Sequence, residues 1–304
     1  MVLRAHSRLD RSSVPSVPVM RGHDARALHG LPVMTDMERI NRATWRKPLS
    51  LREYRRLSGF LNPGERAAFD RARSMLTGGR VLDIGVGAGR TTDLLEDMAS
   101  SYLGIDYTPE MIALAAANHP DKHFQLMDAR DLSALADASF DLVVFSFNGI
   151  DSVDGAGRIA VLTSVARVLA PGGVFLFSTF HRDWQGFRQG LSYSARVLWT
   201  ANPLRLALRL ARYGYGYISA RIRRMRYSRL ERRDGEHVSL LHSAHDFGIM
   251  VYATTPAQID RQLQAAGFET PVILIGANGD VLHPDSLIAG EEYFQVAARK
   301  PLVN

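Results

Sequence analysis

The stretch Val81-Leu82-Asp83-Ile84-Gly85-Val86-Gly87-Ala88-Gly89-Arg90-Thr91-Thr92 narrows the folds open to this chain more than any other. Val81 to Ile84 is a short apolar run of the kind that forms a buried strand in a parallel sheet. Three glycines at every second position then allow a tight turn with no side chain between backbone and ligand. Helical character resumes at Arg90-Thr91-Thr92-Asp93-Leu94-Leu95, so the turn opens a helix whose first N–H groups are left for a ligand. A strand, a glycine turn and a helix N-terminus, in that order, make a nucleotide site at the edge of an α/β sheet.

Beyond the glycine turn, strands and helices alternate as in a parallel α/β sheet. Tyr102-Leu103-Gly104-Ile105-Asp106 reads as a second strand ending in a carboxylate, 17 residues after Gly89. That is close to the ~20 residues at which an acid meets the ribose hydroxyls of a bound nucleotide. Thr108-Pro109 starts a helix with Met111 and Ile112 in its first turn, placed to pack on an adenine. His123 to Asp128 is a third strand with a terminal acid, and Phe140 to Ser146 a fourth, with a turn at Asn148-Gly149 after it.

The dinucleotide fingerprint needs Gly85, Gly87 and a glycine at position 90, where this chain carries Arg90. Its third glycine is Gly89, and Asp83 stands two residues before the first. Asp-x-Gly-x-Gly-x-Gly resembles motif I of the class I S-adenosylmethionine-dependent methyltransferases. A carboxylate suits that cofactor, whose methionine end carries an ammonium group and which has no pyrophosphate. The resemblance extends through Leu169-Ala170-Pro171-Gly172-Gly173 and the strand Val174 to Ser178, and returns at Thr255-Pro256-Ala257-Gln258. It covers roughly residues 79–180 and 251–300.

The resemblance implies a Rossmann-like, seven-stranded, mostly parallel sheet with an antiparallel last strand, N-terminal helices and a helical lid insertion. Val272 to Ile275 and Tyr293 to Ala298 would be the final strands, forming an antiparallel edge. It implies S-adenosyl-L-methionine as cofactor, with Asp128 binding the adenine amino group and Ala129 giving a backbone N–H. The implied cofactor set is Asp83, Gly85, Gly87, Gly89, Asp106, Tyr107, Met111, Asp128, Ala129, Ser146, Phe147 and Asn148. Phe147 and the backbone at Asn148 are candidates to stabilise the sulfonium in a dry site.

Around this core the chain divides into residues 1–35, 36–78, 79–180, 181–250 and 251–304. The first 35 residues mix Ser, Pro and Arg without periodicity, as a disordered arm does; their Arg and Ser content also fits a transit peptide. Residues 36–78 carry two short amphipathic helices, Met37-Ile40-Trp45 and Leu51-Tyr54-Leu57, and then a helix from Asn62-Pro63-Gly64-Glu65. Trp45 or Tyr54 is placed to touch the cofactor or simply to pack on the core.

The insertion, 181–250, is strongly basic: positions 182–234 hold 13 Arg against three acids. A helix starts at Asn202-Pro203, and Tyr213, Tyr215 and Tyr217, alternating with Gly214 and Gly216, read as a flexible aromatic stretch. Three readings stay open for it: a lid with a solvated Arg face, a pocket for an anionic or aromatic acceptor, and a peripheral membrane surface over 200–230. Nucleic acid is not expected, because Ser146-Phe147-Asn148-Gly149 replaces the Asn/Asp-Pro-Pro-aromatic turn of amino-base methyltransferases. His181 and His245 are the candidate general bases, and His242, His245 and Asp246 a weaker metal-ligand set; no metal is expected.

With 46% hydrophobic residues the 304-residue chain can bury one large core, and no apolar run reaches the ~18 residues of a membrane span. The absence of cysteine removes disulfides and thiolate chemistry and is compatible with the cytoplasm. The expectation is therefore a cytoplasmic enzyme that methylates O or N of a small-molecule acceptor. The alternatives are a lipid or membrane-associated acceptor and a non-catalytic S-adenosylmethionine sensor or scaffold.

Overall fold

A computed structural model describes residues 34–48, 50–51, 59–76, 79–189, 197–283 and 290–302. All of the arm expected over 1–35 but Met34 and Thr35, and all of the helix anticipated at Leu51-Tyr54-Leu57 but Leu51, lie outside the described residues. Residues 34 onward form one compact unit. Helix α1 (Asp36–Trp45) starts one residue after Thr35, whose hydroxyl accepts from Glu38 N while the Glu38 carboxylate accepts from Thr35 N. This reciprocal box satisfies two orphan donors of the first turn. Helix α2 (Pro63–Met75) has the expected start, with Asn62 Oδ1 accepting from Glu65 N at 2.8 Å.

The strands are β1 (Arg80–Ile84), β2 (Ser101–Asp106), β3 (Phe124–Leu126), β4 (Phe140–Phe145), β5 (Leu169–His181), β6 (Arg232–Asp234), β7 (His237–His242), β8 (Ile249–Thr254), β9 (Ile273–Ile275), β10 (Val281–Leu282) and β11 (Tyr293–Arg299). The main sheet runs β10-β9-β11-β5-β4-β1-β2-β3, with β1 to β5 mutually parallel. Strand β11 is antiparallel to both its neighbours, β5 and β9. Among the described residues the seven strands expected are present in this sheet, and β10 adds an eighth. The antiparallel strand is not at the edge: β11 is wedged between β5 and β9, so β9 runs with the parallel set.

Helices cover both faces, which is why the central strands read as continuous apolar runs. On one face Val161, Leu162, Val165 and Val168 of α5 (Gly155–Val168) and Ile259 and Leu263 of α7 (Pro256–Ala265) join a core with Phe175, Phe177 and Phe294. On the other, Ala68, Phe69 and Ala72 of α2 and Leu95 of α3 (Thr92–Glu96) pack against Val81, Leu142 and Leu176. Helix α4 (Pro109–Asn118) comes after β2 and buries Met111, Leu114 and Ala115.

The insertion differs from a purely helical lid. Its helix α6 (Pro203–Tyr227) is a single 25-residue element, and the Tyr-Gly stretch expected to be flexible lies inside it. Asn202 caps it through Arg205 N at 3.0 Å, and Pro203 occupies the first turn. The remainder is a meander: β6 pairs antiparallel with β7, β7 with β8, and β8 then runs parallel to the end of β5, Phe180 facing Ala253. Alternating buried positions at Val238, Leu240, Val251 and Ala253 hold it against Phe180 and Phe187. Among the described residues no helix is long and apolar enough to cross a membrane.

Candidate active site

A cavity of about 330 Å³ opens at the C-terminal ends of β1, β2 and β4. Its floor is the glycine turn. Gly85, Gly87 and Gly89 have φ of 65°, 57° and 83°, a region that a Cβ disfavours. A Cβ on Gly85 would stand 2.7 Å from the Phe145 ring, and one on Gly149 would stand 2.1 Å from the same ring. The ring is thus lodged between two glycines under the cavity, and neither position accepts a side chain.

The three strand-end acids have different surroundings. Asp106 is on the cavity wall; Oδ1 accepts from Thr108 N at 2.8 Å and Oδ2 from Gly87 N at 3.1 Å. Burial pushes its carboxyl up to about 6, against the opposing pull of those two N–H groups. Asp83 lies behind the turn and off the cavity wall, its Oδ2 accepting from the hydroxyls of Thr91 and Tyr102, each at 3.0 Å. Burial raises it too, to about 6, and its Oδ1 has no hydrogen-bond partner among the described residues. Asp128 is turned away into the fork of Arg130, which also binds Glu38 of α1 at 2.8 Å, while the next residue, Ala129, lines the cavity.

Of the expected cofactor residues, Gly85, Gly87, Asp106, Tyr107, Met111, Ala129, Ser146, Phe147 and Asn148 line the cavity; Asp83, Gly89 and Asp128 do not. Tyr107 meets Trp45 edge-on at 6.0 Å between ring centres, so Trp45 both packs and borders the cavity. Phe147 and Asn148 are left-handed, with φ of 56° and 58°, and Asn148 N donates to Ser178 Oγ at 2.7 Å. Arg90 braces this corner. Its guanidinium forks onto the Glu65 carboxylate at 2.5 and 2.9 Å, reaches Ser146 Oγ at 3.1 Å and stands 5.0 Å from the Phe147 ring centre.

Opposite the glycine turn the wall comes from β7, β8 and the segment joining them. Asn41 of α1 pairs with Met250 through both its amide atoms, each at 2.8 Å, and Thr44 Oγ1 donates to the Gly248 carbonyl at 2.6 Å. Between the strands His245, Asp246 and Phe247 are left-handed in succession, at φ of 52°, 57° and 57°. Such backbone is costly for residues other than glycine and persists where surrounding structure enforces it. His245 lines the cavity, with Nδ1 at 3.4 Å from Ser50 Oγ. His181 does not; its ring packs 6.0 Å from that of Phe294 and its backbone N donates to the Glu292 carbonyl. Among the described residues no cluster of three or more His, Asp or Glu is placed to hold a metal ion.

His242 and Glu292, both on the wall, form a pair that the sequence does not announce. Ala244 N donates to His242 Nδ1 at 3.1 Å, so the neutral ring carries its proton on Nε2, which lies 2.9 Å from Glu292 Oε1. Fifty positions separate the two, and they meet only because β11 is inserted beside β5. Arg90 did leave a trace: it is the residue that breaks the dinucleotide spacing.

A family model described as a methyltransferase domain matches residues 81–173. The chain is 30% identical over 145 residues to a ubiquinone biosynthesis O-methyltransferase of Xanthomonas campestris pv. campestris, an alignment covering 45% of this chain and 59% of that one. It is 32% identical over 147 residues to a demethylmenaquinone methyltransferase of Beutenbergia cavernae, covering 48% and 59%. The chain therefore spans about three fifths of the length of these curated relatives. A crystal structure of an S-adenosylmethionine-dependent methyltransferase from Clostridium acetobutylicum superposes with a TM-score of 0.53 at 13% identity, over 79% of this chain and 93% of that one, a likeness of fold. Loop, strand-end acids and sheet order agree with the family model: residues 81–173 carry a methyltransferase domain, in a fold shared with S-adenosylmethionine-dependent methyltransferases.

Proposed function

We propose that this protein transfers the methyl group of S-adenosylmethionine to an oxygen or nitrogen of a small-molecule acceptor held between the glycine turn and the β7–β8 wall. The observation that carries the reading is Asp106, fixed by two backbone N–H groups at a strand end with its carboxylate on the cavity wall. The residues present fit the cofactor. Gly85 and Gly149 leave no room for side chains at the floor, Asp106 offers acceptor lone pairs to ribose hydroxyls, and Met111, Met127 and Ala129 give an apolar bed for a purine.

Bound S-adenosylmethionine supplies an electrophilic methyl on a sulfonium with a good neutral leaving group. The chain's own work is to orient and to keep water out, since holding nucleophile and methyl in line can supply most of the rate. Phe147, Tyr107 and Trp45 present aromatic surface at the cavity, suited to a cation in a dry site. A hydroxyl acceptor must also lose a proton. Glu292, held by His242 Nε2–H, and His245 are the groups on the wall able to receive it.

The relatives named as a ubiquinone biosynthesis O-methyltransferase and a demethylmenaquinone methyltransferase favour a hydroxylated aromatic or quinol acceptor. A panel of phenols, catechols and hydroquinones, read out by S-adenosylhomocysteine release, tests the reading; no release with any of them, given intact cofactor binding, counts against it. Once an acceptor is in hand, Glu292→Gln should lower kcat on the order of a hundredfold. Full activity in that variant and a large loss in His245→Asn would move the role to His245.

A further inference from the structure

Helix α6 carries an apolar stripe that no described part of the chain covers. Leu204, Leu208, Tyr215, Ile218, Ile222 and Met225, with Ala211 between, succeed one another in alternating steps of four and three residues, which aligns them on one face. The six large side chains are between 59% and 76% exposed. The helix is nonetheless anchored: Ala220, on the opposite face, is buried against Met37, Leu241, Phe247 and Met250. The stripe is therefore turned to solvent along a rod about 37 Å long.

Its margins are all of one charge. Arg205, Arg212 and Arg226, at steps of seven and fourteen, occupy one flank and Arg221 the other; there is no Asp or Glu from 203 to 230. A second copy of the chain would bring Arg flank against Arg flank in either orientation, with no acid to pair. A nucleic acid would satisfy the guanidinium groups but would leave Leu, Ile and Met against phosphate and water. A bilayer with anionic headgroups takes both at once, apolar side chains at the acyl boundary and Arg among the headgroups.

We propose that α6 is a membrane-docking helix that lies in the plane of an anionic lipid surface. Docking also sets the cavity beside the headgroups. Arg223 donates to the carbonyls of His245 and Asp246 at 3.2 and 3.3 Å, and His245 is on the cavity wall. An amphiphilic acceptor partitioned into that leaflet would meet the site from there. This last step rests on the methyltransferase reading; the docking does not.

The test is co-sedimentation of the full chain with phosphatidylcholine vesicles, with and without phosphatidylglycerol. Binding is expected only with phosphatidylglycerol, weakening about tenfold or more from low to high salt as charges are screened. The triple change Leu208→Asp, Ile218→Asp, Ile222→Asp should abolish it with S-adenosylhomocysteine affinity unchanged by calorimetry. Should that variant misfold, Arg205→Glu with Arg212→Glu and Arg226→Glu serves the same purpose from the flank. No binding to either vesicle overturns the proposal, as does binding that survives both sets of changes. So does a dimer in light scattering that the triple change dissolves, or single-stranded RNA binding in place of vesicle binding. Cofactor affinity without vesicle binding sinks docking alone, and vesicle binding without cofactor affinity sinks the methyltransferase reading alone.

Discussion

Asp106 is a carboxylate that the fold both buries and aims. Burial lifts its pKa to about 6, while Thr108 N and Gly87 N keep its oxygens pointing along the cavity wall. A protonated carboxyl has one oxygen fewer to accept a ribose hydroxyl, so in the proposed role the ionised form is the one that would bind. Affinity for S-adenosylhomocysteine should therefore be level above about pH 7 and fall by roughly tenfold per unit below about 6. Asp106→Ala should weaken it by about 1.5–3 kcal/mol at neutral pH. Calorimetry across that range checks both, and a flat profile would contradict the assignment. The place of this residue on the cavity wall was legible because it closes the strand that follows a glycine turn. Asp83 was legible as a motif but not in direction: its carboxylate is claimed from behind by Thr91 and Tyr102. Asp128 is likewise claimed, by Arg130 two residues on, a contact that strand-end spacing does not foretell. The His242–Glu292 pair was illegible, since it depends on which strand neighbours β5 rather than on any local pattern.

Among the elements, α6 shows how periodicity can outweigh local propensity. Gly214 and Gly216 each cost a helix about 1 kcal/mol relative to Ala, which is why the Tyr-Gly stretch reads as a break. The four-three repeat of apolar residues runs straight through them, and the helix is continuous over 25 residues. A Cβ on Gly214 would meet nothing within 4 Å. Gly214→Ala should accordingly stabilise α6 by about 0.5–1 kcal/mol, seen as slower amide exchange across 210–220. Unchanged or faster exchange there would mean that the glycine serves a bend. The β6–β8 meander was harder to see, because β6 is only three residues long and wholly exposed, and His, Glu and Gly cluster where the strands turn.

Across the whole molecule, one buried polar cluster fastens the meander to the core. Asp151, just after β4, accepts from Arg158 of α5 at 2.5 Å, from Thr179 Oγ1 at 2.7 Å and from Phe180 N at 2.6 Å. Thr179 in turn lies 3.1 Å from Thr254 of β8. Arg158 and Asp151 have no exposed side-chain surface. Burial raises the Asp151 carboxyl to about 6 in spite of the adjacent guanidinium. Asp151→Ala would strand that guanidinium in the interior, and a loss of about 3–5 kcal/mol in urea unfolding is expected; adding Arg158→Leu should recover part of it. A loss under about 1 kcal/mol in the single variant would show that water reaches the cluster. The parallel sheet and its helices were legible from apolar runs, glycine turns and caps. The branch at β5, where β11 pairs on one side and β8 joins at the strand end, was not, because pairing partners far apart in sequence leave no periodic signature.

That branch bears on how the enclosure admits its guests. β8 is hydrogen-bonded to strands on either flank and clamped by Asn41 from α1, so this quarter of the chamber is stitched in place rather than hinged. A standing mould selects by exclusion. Analogues bulkier than the natural acceptor should be turned away at entry instead of being accommodated by a yielding wall.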